Sequence, residues 1–174
     1  MKLMGEQRAL ERLREVRDEF RGQISDDYEF RARSCATCPT KGACCVDEHF
    51  VNVHVSRLEA VAIKRSLDKL PKSRRSEIKL RIDAAIAKYD LSVEGNTFSK
   101  TYACPLFETG TGCLVHGTAK PLPCIAHACY ENAADLPPEH LLAAREQQVD
   151  DLNVRTYGKR QPWLPLPVAI SKIL

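Results

Sequence analysis

The stretch Cys35-Ala-Thr-Cys38-Pro-Thr-Lys-Gly-Ala-Cys44-Cys45 places four thiols in eleven residues. No other cysteine occurs until a second block supplies Cys104, Cys113, Cys124 and Cys129, so all eight cysteines of the chain fall in two groups. Cys-x-x-Cys lets two thiolates converge on one metal across a tight turn, in zinc and in iron–sulfur sites alike. The adjacent Cys44 and Cys45 point in different directions, which suits two irons of a cluster, or two separate metals, better than one zinc. The pattern predicts that the two blocks close on each other around a metal centre. Eight thiols supply two four-cysteine sites or one cluster with spare thiols, and nothing local chooses between them.

The opening residues, Met1-Lys-Leu-Met-Gly-Glu-Gln-Arg-Ala-Leu, lack the apolar core and cleavage site of a signal peptide. No apolar run reaches the roughly 18 residues that a membrane span needs. A cytoplasmic location without membrane attachment is the expectation. In that compartment thiols stay reduced, so clustered cysteines read as metal ligands, and the disulfide reading would require an export route. The chain has 174 residues, 44% of them hydrophobic, enough to bury one core as a single domain. Lys and Arg number 26 against 23 Asp and Glu, a net charge of +3 with the signs interspersed. That is a solvated surface and not a field for polyanions, so nucleic acid is not expected as a partner. A metal ion or cluster is expected, and a protein partner is left open.

Outward from the first block, Leu3, Leu10, Leu13, Val16, Phe20 and Ile24 recur at helical steps among Glu and Arg, predicting an amphipathic helix over 3–23. Phe50 to Val55 alternates apolar and polar residues, as a short strand does. Ser56 and Glu59 have capping-box spacing before a helix at about 57–69, and Ile78, Ile82, Ala85, Ile86 and Tyr89 mark a second at about 74–89. Together they read as a helical hairpin over 57–89 joining the cysteine blocks. Residues 90–100 read as a loop and 138–153 as a further helix; Trp163 in the Pro-punctuated tail is expected to dock on the helices. The fold expected is mainly α: a small helical domain with an irregular cysteine-rich lobe formed by 35–46 and 103–130 and at most one or two short strands. The second block is rich in Pro and Gly and poor in periodicity, so metal bonds are expected to hold it.

Other chemistry is harder to build. A thioredoxin-type dithiol needs a strand before and a helix after its Cys-x-x-Cys, whereas Cys35 follows the irregular Arg31-Ala-Arg-Ser34. A cysteine nucleophile paired with His116 or His127 would leave seven thiols without a role. Those two histidines lie inside the second block, where imidazole can replace thiolate at a mixed site, and whether either ligates stays open. No phosphate-binding glycine loop or dinucleotide fingerprint is present.

The first block, with Cys104-Pro-Leu-Phe, Gly112-Cys113-Leu-Val-His and Lys120-Pro-Leu-Pro-Cys124 after it, resembles the YkgJ-type cysteine-cluster family of zinc- or iron-chelating proteins. That family's pattern is Cys-x-x-Cys-x-x-Cys-Cys, then Cys-Pro, then Gly-x-Cys-x-x-Tyr, then Arg-Pro-x-x-Cys. Seven cysteines match in order. Five residues, not two, separate Cys38 from Cys44; His116 stands at the Tyr position; Lys120 replaces Arg; and Cys129 lies beyond the pattern. The resemblance implies metal chelation by Cys35, Cys38, Cys44, Cys45, Cys104, Cys113 and Cys124, to which Cys129 is added as an eighth ligand. It also implies a turn at Lys120-Pro121 that presents Cys124, with Lys120 offsetting thiolate charge beside the cofactor. Its members are similar to the cysteine-rich region of flagellin lysine N-methylases, where an iron–sulfur cluster is the suspected cofactor. With no S-adenosylmethionine site here, methyl transfer is not carried over.

The expectation is a metal-binding protein holding an iron–sulfur cluster, 4Fe–4S preferred, or alternatively Zn2+, in a structural or electron-carrying role. One alternative is an enzyme or accessory subunit using the centre for redox or group-transfer chemistry. Another is a zinc-stabilised nucleic-acid or protein adaptor, which rests on the basic stretches Arg8 to Arg21 and Lys64 to Arg81.

Overall fold

Helical periodicity and capping chemistry carry most of the architecture, which is mainly α with two small antiparallel strand pairs. The computed structural model describes residues 3–34, 37–49 and 51–174. In chain order the helices are α1 (Glu6–Asp27), α2 (Ala43–Val46), α3 (Arg57–Leu67), α4 (Lys72–Lys88), α5 (Leu122–Ala126), α6 (Glu139–Tyr157) and α7 (Leu166–Ser171). The strands are β1 (His54–Val55), β2 (Phe107–Glu108), β3 (Gly112–Cys113) and β4 (Leu164–Pro165). The chain divides into two compact units, one of Met1–Pro39 and Pro121–Pro162, the other of Thr40–Lys120 and Trp163–Leu174. Among the described residues no helix is long and apolar enough to cross a membrane.

In the first unit α1 packs on α5 and α6. The buried stripe of α1 is Ala9, Leu13, Arg17, Phe20 and Ile24, while Leu3 lies outside the helix and is exposed. Val149 and Leu152 of α6 and Leu122 and Ile125 of α5 complete that core. The Met4 amide donates to the Arg155 carbonyl (2.8 Å) and Tyr157 Oη to Glu6 (3.0 Å), fixing one end of the α1–α6 pair. Gly158 ends α6 in the left-handed conformation, the usual C-terminal stop.

In the second unit the capping box forms as its spacing predicts: Ser56 Oγ accepts from the Glu59 amide and Glu59 accepts from the Ser56 amide (3.0 Å). Helices α3 and α4 both pack on α7, so the tail is a core element. Leu164, Leu166, Val168, Ala169 and Ile170 are buried, whereas Trp163, the expected anchor, is only half-buried. β1 pairs with β4, His54 opposite Pro165 and Val55 opposite Leu164, and the strand expected over 50–55 shortens to two residues; Phe50 lies outside the described residues. Tyr102, fully buried, donates its hydroxyl to the Val53 carbonyl and accepts from the Leu166 amide (3.2 Å), joining β1 to the start of α7.

The second cysteine block, for which metal bonds are the expected support, also has apolar and backbone support of its own. Tyr102, Leu106, Val115, Ala119 and Leu122 are all buried, and β2 pairs with β3, Phe107 opposite Cys113 and Glu108 opposite Gly112. These apolar anchors fall at irregular intervals, which is why no period announces them.

Candidate functional site

The division into units cuts both cysteine blocks. Cys44, Cys45, Cys104 and Cys113 belong to the second unit, while Cys38, Cys124 and Cys129 belong to the first; Cys35 lies outside the described residues. The seven described cysteines are thiols, each partly exposed.

Within the second unit the two blocks are tied at their backbones. Gly42 takes φ +83° and caps α2, which carries Cys44 and Cys45. The tip of the Phe107 ring lies against Gly42, so that a Cβ there would stand 1.8 Å from Phe107 Cζ. The Cys104 amide donates to the Cys45 carbonyl at 2.8 Å, and the Phe107 amide to the Cys104 carbonyl at 3.3 Å. Cys113, on β3, sits opposite Phe107.

The thiols of Cys104 and Cys113 share an environment. Both pack against the hydrophobic core, and burial pushes the Cys104 thiol up to about 11 and the Cys113 thiol up as well. The two are near enough for charge on Cys113 to raise Cys104 further. Against burial, the backbone of Leu106 and Phe107 pulls the Cys104 thiol down and that of Val115 the Cys113 thiol. In both cases the backbone two residues onward favours the thiolate. Pro105, lacking an N–H and fixing its own φ, shapes the first of these segments. Arg81 acts on Cys104 and Lys120 on Cys113, each favouring the thiolate. Lys120, expected to serve Cys124, thus has its resolved effect on Cys113.

Arg81 and its partner Glu108 were not legible as site residues. Glu108 of β2 accepts from Arg81 Nη2 (2.8 Å) and Arg74 Nη2 (2.5 Å), clamping the hairpin that carries Cys113 to α4. The signal available was Arg74 and Arg81 seven residues apart on one helix face. Elsewhere in that basic stretch, Lys64 and Arg75 pair with Asp68, and Lys79 with Asp83.

In the first unit the Arg33 amide donates to the Cys129 carbonyl (2.9 Å), and Arg33 pairs with Glu131, fastening the segment before Cys38 to Cys129. Cys124 lies on α5 between buried Leu122 and Ile125. His127 caps α5, and His116 is exposed in the turn after Cys113, its amide donating to the Cys113 carbonyl (3.1 Å). Among the described residues, no three Cys, His, Asp or Glu side chains are gathered closely enough to hold a metal ion. Compared with models of protein families, with curated proteins and with solved structures, the chain has no match in any of the three.

Proposed function

We propose that this is a thiolate metal-binding protein in which Cys104 and Cys113 are the central donors and Cys44 and Cys45 of the same unit the next to join. The observation that carries the reading is that Cys104 and Cys113 pack against one core, with the Cys104 amide bonded to the Cys45 carbonyl of the other cysteine block and Cys113 opposite Phe107 on the paired strand. The backbone around each thiol and the charges of Arg81 and Lys120 favour the thiolate. Partly buried thiols packed on a core, with two cationic side chains favouring the thiolate, fit a soft metal, which replaces the proton outright. The chemistry of the donors favours zinc or iron–sulfur ligation over hard, oxygen-seeking cations. The adjacent Cys44–Cys45 pair favours a cluster over a lone zinc, and the resemblance to cysteine-cluster chelators agrees with both. A bound cluster supplies one-electron transfer, and a bound zinc a structural closure. The protein's own contribution is to exclude water from one side of the thiols and to offset their charge with Arg81 and Lys120.

Anaerobic purification followed by iron, acid-labile sulfide and zinc analysis tests this. Brown protein with the broad visible absorption of a cluster and matched iron and sulfide is the expected result. Colourless protein with stoichiometric zinc would replace the cluster by zinc, and protein that retains neither metal after reconstitution would overturn the function.

A further inference from the structure

Along α1 the side chains of Arg8, Arg12, Glu15 and Glu19 are exposed and recur at steps of three and four, which sets them on one stripe of the helix. The stripe borders a groove of about 470 Å³ between α1 and α6, whose apolar lining is Met4, Val16 and Leu152. The two helices run antiparallel: Tyr157 bonds Glu6 at one end, and Arg145 pairs with Glu19 (3.2 Å) towards the other. From Met4 to Glu19 the groove extends about 22 Å at the helical rise. Arg8, Arg12 and Arg155 make one end cationic, Gln148 and Asp151 line the middle, and Glu15 and Glu19 make the other end acidic. Arg12 is paired with Glu15 of its own chain (2.6 Å), whereas among the described residues the side chains of Arg8 and Arg155 have no acidic partner. The α1 stripe thus has two charges of one sign followed by two of the other, evenly placed about a point between Arg12 and Glu15. A wholly acidic peptide would suit the arginines and be repelled by Glu15 and Glu19, and a basic one the reverse. A helix laid antiparallel on the stripe is complementary along its whole length when it carries the same stripe.

We propose that the α1–α6 groove binds a second copy of this chain, with the two α1 helices antiparallel about a two-fold axis between Arg12 and Glu15. Arg8 of each copy then meets Glu19 of the other, and Arg12 meets Glu15, so the patch is complementary to itself, as a two-fold interface requires. The second copy's Glu19 arrives at the end where Arg8 and Arg155 have no acidic partner. Between the Glu6–Tyr157 and Glu19–Arg145 contacts, Leu152 lies level with Glu11, the position at which Val16 of the second copy arrives. Each Val16 therefore covers a Leu152, and closing the groove to water strengthens ion pairs that are weak singly on a wet surface. None of these residues enters the metal-binding reading, so the two stand or fall separately.

Sedimentation velocity and native mass spectrometry of the full chain in reductant, over a wide range of protein concentration, test this. Wild type is expected to form a dimer that weakens as salt is added. Arg12→Glu and Glu15→Arg each bring like charges together twice across the axis and should weaken the dimer by more than about tenfold. An equimolar mixture of those two variants should regain a dimer containing one chain of each, and the double variant Arg12→Glu/Glu15→Arg should again pair with itself. Circular dichroism and melting should match wild type, because both side chains are more than half exposed (55% and 52%). Arg8→Glu and Glu19→Arg form an equivalent pair, alone and mixed, if either of the first two folds poorly. A wild type that stays monomeric would overturn the inference and leave the groove to a partner of other chemistry. A dimer indifferent to the single reversals, or one that the mixture fails to restore, would overturn it as well.

Discussion

At Gly42 the backbone stands at φ +83°, and a side chain there would enter the space of the Phe107 ring. Gly42→Ala is expected to destabilise the protein by about 2 kcal/mol or more, from the left-handed conformation together with displacement of the ring. In a double-mutant cycle measured by chemical denaturation, Phe107→Ala should lessen the effect of Gly42→Ala, because it removes the clash and leaves the backbone strain. Full additivity would show that the ring and the glycine are not coupled. Nothing in the sequence marked this contact, since Gly42 reads as a spacer between two cysteine pairs. His54 is a second residue whose role emerged only in the fold. It is buried, stacked on Phe98 with ring centroids 3.9 Å apart, and hydrogen-bonded to Thr97 (3.1 Å). Burial holds its pKa below the ordinary 6.5, offset in part by the Asn52 carbonyl. With the folded value depressed, His54 contributes nothing to pH dependence above about 6.5, and stability is lost as pH falls from there toward the folded pKa. The difference in unfolding free energy between wild type and His54→Gln should therefore shrink on acidification below 6.5. A difference that is constant over that range would sink the assignment.

Among the elements, those that announce themselves locally were the legible ones. Helices α1, α3, α4 and α6 follow from period and punctuation, because an amphipathic stripe and a cap are properties of neighbouring residues. The Ser56–Glu59 box is the clearest case, and Ser56→Ala should lower stability by about 1 kcal/mol, readable as a reduced denaturation midpoint at unchanged slope. A change within error would mean that the buried Glu59 carboxylate caps the helix unaided. What escaped was burial decided at long range. Helix α7 has six residues opened by Pro165 and Pro167, too few for a period, yet Leu166 and Ile170 are among the most completely buried side chains. Tyr102, Leu106, Val115 and Ala119 anchor the second cysteine block at intervals of four, nine and four, which no single secondary structure would produce. Their value lies in contacts with α3, α4 and α7, residues remote along the chain.

Across the whole molecule, the residue types of the candidate site were legible and their grouping was not. Cysteine in clusters points to soft-metal chemistry wherever the chain places it, but which thiols share a compact unit depends on where the backbone leaves one unit for the other. Those passages fall after Pro39 and after Lys120, inside each block. If Cys104 and Cys113 are the central donors, Cys104→Ser and Cys113→Ser should each abolish bound metal, while Cys38→Ser and Cys129→Ser should retain it, as judged by metal analysis at equal protein concentration. Equal loss from Cys129→Ser would overturn the assignment of the site to the second unit alone. The discontinuous build of that unit also sets a schedule for synthesis. Its first segment, ending at Lys120, emerges from the ribosome about forty residues before Leu164–Ile170, which complete its core. At typical elongation speeds that interval lasts several seconds. Throughout it Cys104 and Cys113 have left the tunnel while the α7-facing sides of α3 and α4 are still uncovered, so nascent chains of this protein offer their thiols to oxidants and to holding chaperones before the finished fold can shelter them.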